Sequence, residues 1–147
     1  MVPNPDRDLA KASQGSSVRA LLDTNVLVRH LTGDPPSQAR RATALLAGAH
    51  ELLLTDLVVA ELVYVLESFY RQPREDVAEA ARSLLALPSI ATVDPDLLLR
   101  SLELYESHRL DYAEAYLAAA AEVWGVGRIA SFDRGLDRVA SIKRLQP

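Results

Sequence analysis

Four acidic residues occupy settings in which a carboxylate can take part in chemistry. Asp23 ends the apolar run Val18-Arg19-Ala20-Leu21-Leu22, with Thr24 and Asn25 directly after it. Glu61 lies in the middle of a largely apolar segment, Asp56 to Tyr70. Glu114 follows Asp111 by three residues at the head of an alanine-rich stretch, and Asp133 follows Ser131 just past Arg128-Ile129-Ala130. Oxygen donors of this kind suit a hard cation such as magnesium, which keeps several waters and therefore needs few carboxylates. An ion so held activates water for attack on a phosphodiester and stabilises the leaving oxygen, chemistry that needs neither histidine nor cysteine. Spacing along the chain does not bring the acids together; the fold has to do that.

Each acid also has a structural explanation. Asp23 or Thr24 can simply cap a helix, since these residue types are the usual N-caps. Asp111 and Glu114 have the spacing of a capping box. Asp137, with Arg134 and Arg138, suits a solvated helical face, although it also stands close to Asp133 in sequence. Glu61 is harder to explain away, because a charge inside an apolar helix has to be paired, protonated or bound.

The elements that must position these residues are legible from periodicity and capping. A buried strand through Leu22 is expected, then a polar turn from Asp23 to Asn25 and a helix from about Val26 to Leu31. Thr32-Gly33-Asp34-Pro35-Pro36 is a strong break, and Ser37 to Ala49 is helical in period. Glu51 to Leu54 reads as a second strand, with Thr55 as N-cap of the apolar helix that carries Glu61. A helix from Pro73 to about Leu87, a strand from Ile90 to Val93 and a helix opened by Asp94-Pro95 and closing near His108 follow. The alanine-rich helix runs to Trp124 and Gly125, and short strands are expected at Arg128 to Ala130 and Ile142 to Leu145. This alternation predicts an α/β fold with a mostly parallel sheet over residues 18–147. In an open parallel sheet, ligands bind beyond the carboxyl ends of the strands, where Asp23 and Asp133 fall. Residues 1–17 are polar and aperiodic and are expected to form a mobile tail.

Composition narrows the classes. The 147 residues contain no cysteine, and His30, His50 and His108 show no metal-ligand spacing, so a zinc site is disfavoured. No apolar run is long enough for a membrane span and no signal sequence is evident, so a cytoplasmic protein is expected. The net charge of −4 argues against nucleic acid binding over the whole surface. Four of those negative charges belong to the candidate acids, however, and the remainder is neutral. Arg128, Arg134, Arg138, Lys143 and Arg144 give the end of the chain a local basic bias able to hold RNA phosphates. No Gly-rich loop ending in Lys-Ser or Lys-Thr is present, which disfavours nucleotide hydrolysis. An aspartyl-phosphate phosphatase would want an aspartate in place of Asn25 and a nearby lysine, yet Lys11 and Lys143 are the only lysines.

Taken in order, Leu21-Leu22-Asp23-Thr24-Asn25-Val26-Leu27, Ala60-Glu61-Leu62, Asp111-Tyr112-Ala113-Glu114-Ala115 and Ser131-Phe132-Asp133 resemble the motifs of PIN-domain nucleases, particularly the VapC-type toxins of bacterial toxin–antitoxin pairs. The resemblance covers about Val18 to Pro147 and implies a three-layer α/β/α fold, a mostly parallel central sheet flanked by helices. It implies acids gathered at one end of the sheet that bind magnesium or manganese for cleavage of single-stranded RNA. Asp23, Glu61 and Asp133 fall on the family's first, second and fourth acids, and Asn25 and Ser131 on supporting polar positions. Glu114 stands where the family usually has the aspartate of an Asp-Ala pair, and Asp111, one turn earlier, is the second candidate for that role. Asp23, Glu114 and Asp133 are then the expected metal ligands. The resemblance further implies a homodimer and a small antitoxin whose tail occupies the active-site groove. A catalytically weakened interaction module, or a PIN nuclease of RNA processing without an antitoxin, are the alternatives.

Overall fold

The computed structural model of the protein describes residues 17–147, so the expected tail lies outside the described residues except for Ser17. Two compact units are present, one formed by residues 17–62 and 83–93, the other by residues 63–82 and 94–147.

In the first unit, strands β1 (Arg19–Leu21), β2 (Glu51–Leu53) and β3 (Ile90–Ala91) form a parallel sheet in that order. The register aligns Ala20 with Leu52 and Leu52 with Ile90. Leu52, on the central strand, is fully buried, the condition under which a short apolar run makes a strand. Helices α1 (Thr24–Thr32) and α2 (Pro36–Ala47) connect β1 to β2. Helix α1 begins two residues earlier than periodicity suggested, because Asp23 itself is the N-cap. It ends at Gly33, whose φ of 72° is left-handed and whose N–H donates to the Arg29 carbonyl, the usual glycine stop.

Helix α3 (Asp56–Ser68), begun by a weak bond from Val58 N–H to the Thr55 hydroxyl at 3.3 Å, carries Glu61. It buries Val59, Leu62, Val63 and Leu66, positions three and four apart that form one helical face. Leu57 and Tyr64 stand 78% and 68% exposed on the other side, and Glu61 is exposed with them. Apolar residues on the outer face thus make an ordinary one-sided helix read as an apolar one, and Glu61 is not inside it. Helix α4 (Arg74–Leu85) follows, beginning one residue after Pro73.

The second unit is built around α5 (Pro95–His108) and α6 (Tyr112–Val123). Asp94 accepts from Leu97 N–H at 3.0 Å and Pro95 is the first helical residue, the predicted cap-then-proline start. Helix α5 buries Leu97, Leu98, Leu102, Leu104 and Tyr105, and α6 buries Ala115 and Ala118 to Ala121. The small alanines, buried nearly all round this turn, permit close approach of neighbouring elements, and a bidentate pair from Arg100 to Glu122, at 2.7 and 3.0 Å, joins the two helices. Strands β4 (Arg128–Ala130) and β5 (Lys143–Leu145) form a parallel pair, with Ile129 opposite Arg144. Among the described residues every strand pairing is parallel, as expected, but the hydrogen-bonded ladders are two, each within its own unit. A 3-10 turn, Arg134–Arg138, lies between β4 and β5 and buries Leu136.

Candidate active site

The acids fall into two groups, one in each unit. In the first, Asp23 follows β1 and is exposed, with Oδ1 accepting from Thr24 N–H at 2.9 Å. The side chain thus does what its structural explanation required, and the cap also fixes the carboxylate at the end of a strand. Thr24 is buried, 3% exposed, and its hydroxyl donates to Glu61 Oε2 at 2.7 Å. A buried hydroxyl needs a partner, and this one takes the only acid on α3's middle turn. Glu61 is therefore exposed and held, rather than buried and unpaired. Asn25 is exposed and lines a cleft of about 330 Å³ with Val26, Arg29, Gln38 and Arg41 among its walls.

The second group is tighter. Asp111 accepts from Glu114 N–H at 2.8 Å while Glu114 Oε2 accepts from Asp111 N–H at 3.3 Å, so the capping box is real. It does not exhaust Glu114, whose carboxyl also lies near that of Asp133, both standing beside Gly135. Partial burial first, then the neighbouring Asp133 and the charge of Asp111, push Glu114 from the ordinary 4.5 up to about 7. The interaction with Glu114, followed by the bond from Gly135 N–H, holds Asp133 below its ordinary range. Two neighbouring carboxyls cannot both ionise freely, so Glu114 keeps its proton to higher pH than Asp133 does.

Asp133 sits on a closely built turn. Its N–H donates to Ser131 Oγ at 2.9 Å, and its Oδ1 accepts from Gly135 N–H at 2.8 Å. Ser131 is tied in turn through its N–H to the Leu145 carbonyl and through its carbonyl to Arg144 Nη1. Gly135 was not singled out by sequence reasoning. A Cβ there would lie 3.1 Å from Asp133 Oδ1 and 3.7 Å from Glu114 Oε2, so the missing side chain makes room for the acid pair. Its only sequence signal is the Asp-x-Gly spacing, which is common to many turns.

Asp137 is placed elsewhere than beside the acids' oxygens: both of its carboxylate oxygens bind Arg144, at 2.9 and 3.1 Å. That pair commits Arg144, whose side chain is only 11% exposed, to holding β5 and Ser131. Arg138 donates to the Arg109 carbonyl at 3.1 Å. Arg128, Arg134, Arg138 and Lys143 are exposed. Among the described residues, no group of three or more His, Asp or Glu side chains is gathered closely enough to form a ready metal cage. No helix among them is long and apolar enough to cross a membrane.

The sequence model of the PIN domain matches residues 20–142, and the chain belongs to the PIN-domain family. It is similar to a VapC ribonuclease of Aquifex aeolicus (strain VF5), with 26% identity over 117 residues that cover 78% of this chain and 87% of that protein.

Proposed function

We propose that this protein is a metal-dependent endoribonuclease, the toxin of a toxin–antitoxin pair, with Asp23, Glu61, Glu114 and Asp133 as its acids. The observation that carries the reading is the Glu114–Asp133 pair, two carboxyls brought near each other beside Gly135, on a turn where a side chain at that glycine would crowd Asp133. A divalent cation satisfies both carboxylates better than a proton does, and an all-oxygen donor set fits Mg²⁺ or Mn²⁺. The likeness of Leu22-Asp23-Thr24-Asn25 to the family's first acid motif supports Asp23 as a further metal ligand. When bound, the ion supplies Lewis acidity at the phosphodiester and lowers the pKa of water.

The chain's own residues do the rest. Backbone N–H groups of Thr24 and Gly135 fix one oxygen of Asp23 and of Asp133, leaving the other oxygen of each to a ligand. The Thr24 hydroxyl holds Glu61 Oε2, so that Oε1 can take a proton from the attacking water. Such pre-set orientation lowers the barrier because little has to reorganise during reaction. Asp111 fixes the start of α6 and with it Glu114. The exposed Arg128, Arg134, Arg138 and Lys143 are the proposed phosphate contacts. A homodimer, a cytoplasmic location and a small antitoxin are the remaining parts of the proposal, and their support is the resemblance to VapC-type proteins.

The test is incubation of purified protein with a pool of structured RNAs, with and without Mg²⁺ or Mn²⁺, beside Asp23→Asn and Glu114→Asp. Metal-dependent cleavage by the wild type, lost in Asp23→Asn, is expected. A faster Glu114→Asp would identify the glutamate as a detuned ligand. A wild type that neither cleaves RNA nor binds metal would overturn the assignment. The antitoxin is tested by co-expressing the adjacent upstream reading frame, whose product should suppress cleavage.

A further inference from the structure

We infer that Phe132 is a base-stacking residue of the active site, which receives one unpaired base of the RNA beside the bond to be cut. The inference rests on the ribonuclease reading above and adds to it a residue that positions substrate without touching metal.

The observation is an exposed aromatic on a rigid turn. Phe132 is 74% exposed, directly before Asp133. Its two neighbours are pinned: Ser131 by its N–H and carbonyl bonds to β5 residues, Asp133 by its bonds to Ser131 Oγ and Gly135 N–H. The backbone between them has little freedom, so the ring is displayed rather than merely loose. The chain's other phenylalanine, Phe69, is as exposed but stands edge-to-face with Tyr70 at 5.0 Å, whereas Phe132 makes no ring contact among the described residues. Leaving a phenylalanine ring in water forgoes the stabilisation that burial would supply, commonly about 1.5 to 3 kcal/mol.

Single exposed apolar residues are common on any surface. Phe132 differs in its place, one residue from a proposed metal ligand, where a substrate phosphate must arrive if that ligand acts. Unpaired bases are bound chiefly by stacking on aromatic side chains, worth about 1 to 3 kcal/mol per base and tolerant of sequence. Exposed Arg134, two residues on, adds a cation for the backbone of the same strand. Charge favours RNA over an apolar protein partner here, since acids and arginines flank the ring on its C-terminal side rather than further apolar residues.

The test uses full-length protein and a fluorescent 15-nucleotide single-stranded RNA of mixed sequence. Binding is measured by anisotropy with Ca²⁺, and cleavage with Mg²⁺, for wild type, Phe132→Ala and Phe132→Tyr. Phe132→Ala should weaken binding and raise KM by roughly five- to a hundred-fold, while Phe132→Tyr stays near wild type. With RNAs carrying a single abasic position, one position should weaken the wild type and leave Phe132→Ala unchanged. Equal binding by wild type and Phe132→Ala would overturn the inference, as would a defect in Phe132→Ala confined to self-association or antitoxin binding, which would make the ring a protein contact. Because binding is read apart from cleavage, a wild type that binds RNA through Phe132 without cutting it sinks the ribonuclease reading alone.

Discussion

Glu114 closes a capping box and lies near Asp133, and it is the proposed third acid of the site. Its pKa, raised to about 7, has a thermodynamic consequence. An acid whose folded pKa lies above its unfolded value of 4.5 adds stability below that value, and the contribution is lost as pH rises through about 7. Glu114→Gln, which keeps the size without the titration, should therefore gain relative to wild type between pH 5 and pH 8 in metal-free denaturant unfolding. A wild type and variant that differ by the same amount at both values would show that the fold does not raise the pKa of Glu114. Spacing alone did not point to this pair, since Glu114 and Asp133 are 19 positions apart and either could have been an ordinary cap; only the family resemblance named both as expected metal ligands. Thr24 is the counterpart in the other group, a helix-start threonine whose hydroxyl is spent on Glu61 rather than on its own helix.

Helix starts separate structure from function at the next scale. Asp94 and Asp111 are both N-caps whose carboxylates accept from the third residue of the helix, at 3.0 and 2.8 Å. Replacing either by alanine should cost about 1 kcal/mol of stability, the usual cost of a lost cap. Only Asp111→Ala also loosens Glu114, so it alone should lower the rate of RNA cleavage measured well below the unfolding temperature. Comparable rates in the two variants would reduce Asp111 to a structural cap. The same comparison explains why α3 misled the sequence reading. Leu57 and Tyr64 on its outer face flatten the periodic signal, and Glu61 looked buried because its neighbours in sequence are apolar.

For the whole molecule, a ligand that binds only the folded chain stabilises it, by about 2.7 kcal/mol at a hundred times its dissociation constant. Mg²⁺ should accordingly raise the thermal midpoint of the wild type at pH 8, where Glu114 is deprotonated, and raise it much less for Asp133→Asn. Sodium chloride at matched ionic strength separates binding from screening. Equal shifts in both proteins would mean that the ion acts on the net charge of −4 and not on these acids.

What the sequence determined by itself was local. Caps, prolines and apolar periods placed nearly every helix and strand, because they act within a few residues: Asp94-Pro95 opened α5, Gly33 closed α1, and the Asp111–Glu114 spacing became a capping box. The ordered acid motifs pointed to the family for the same reason, each being a short strand-end or helix-start pattern. Only the tertiary structure decided which face of α3 is buried, which partner holds Glu61, that Asp137 binds Arg144, and that Glu114 lies near Asp133. These are distances between side chains brought together by packing, and a hydrogen bond or ion pair depends on a few tenths of an ångström that no spacing along the chain specifies.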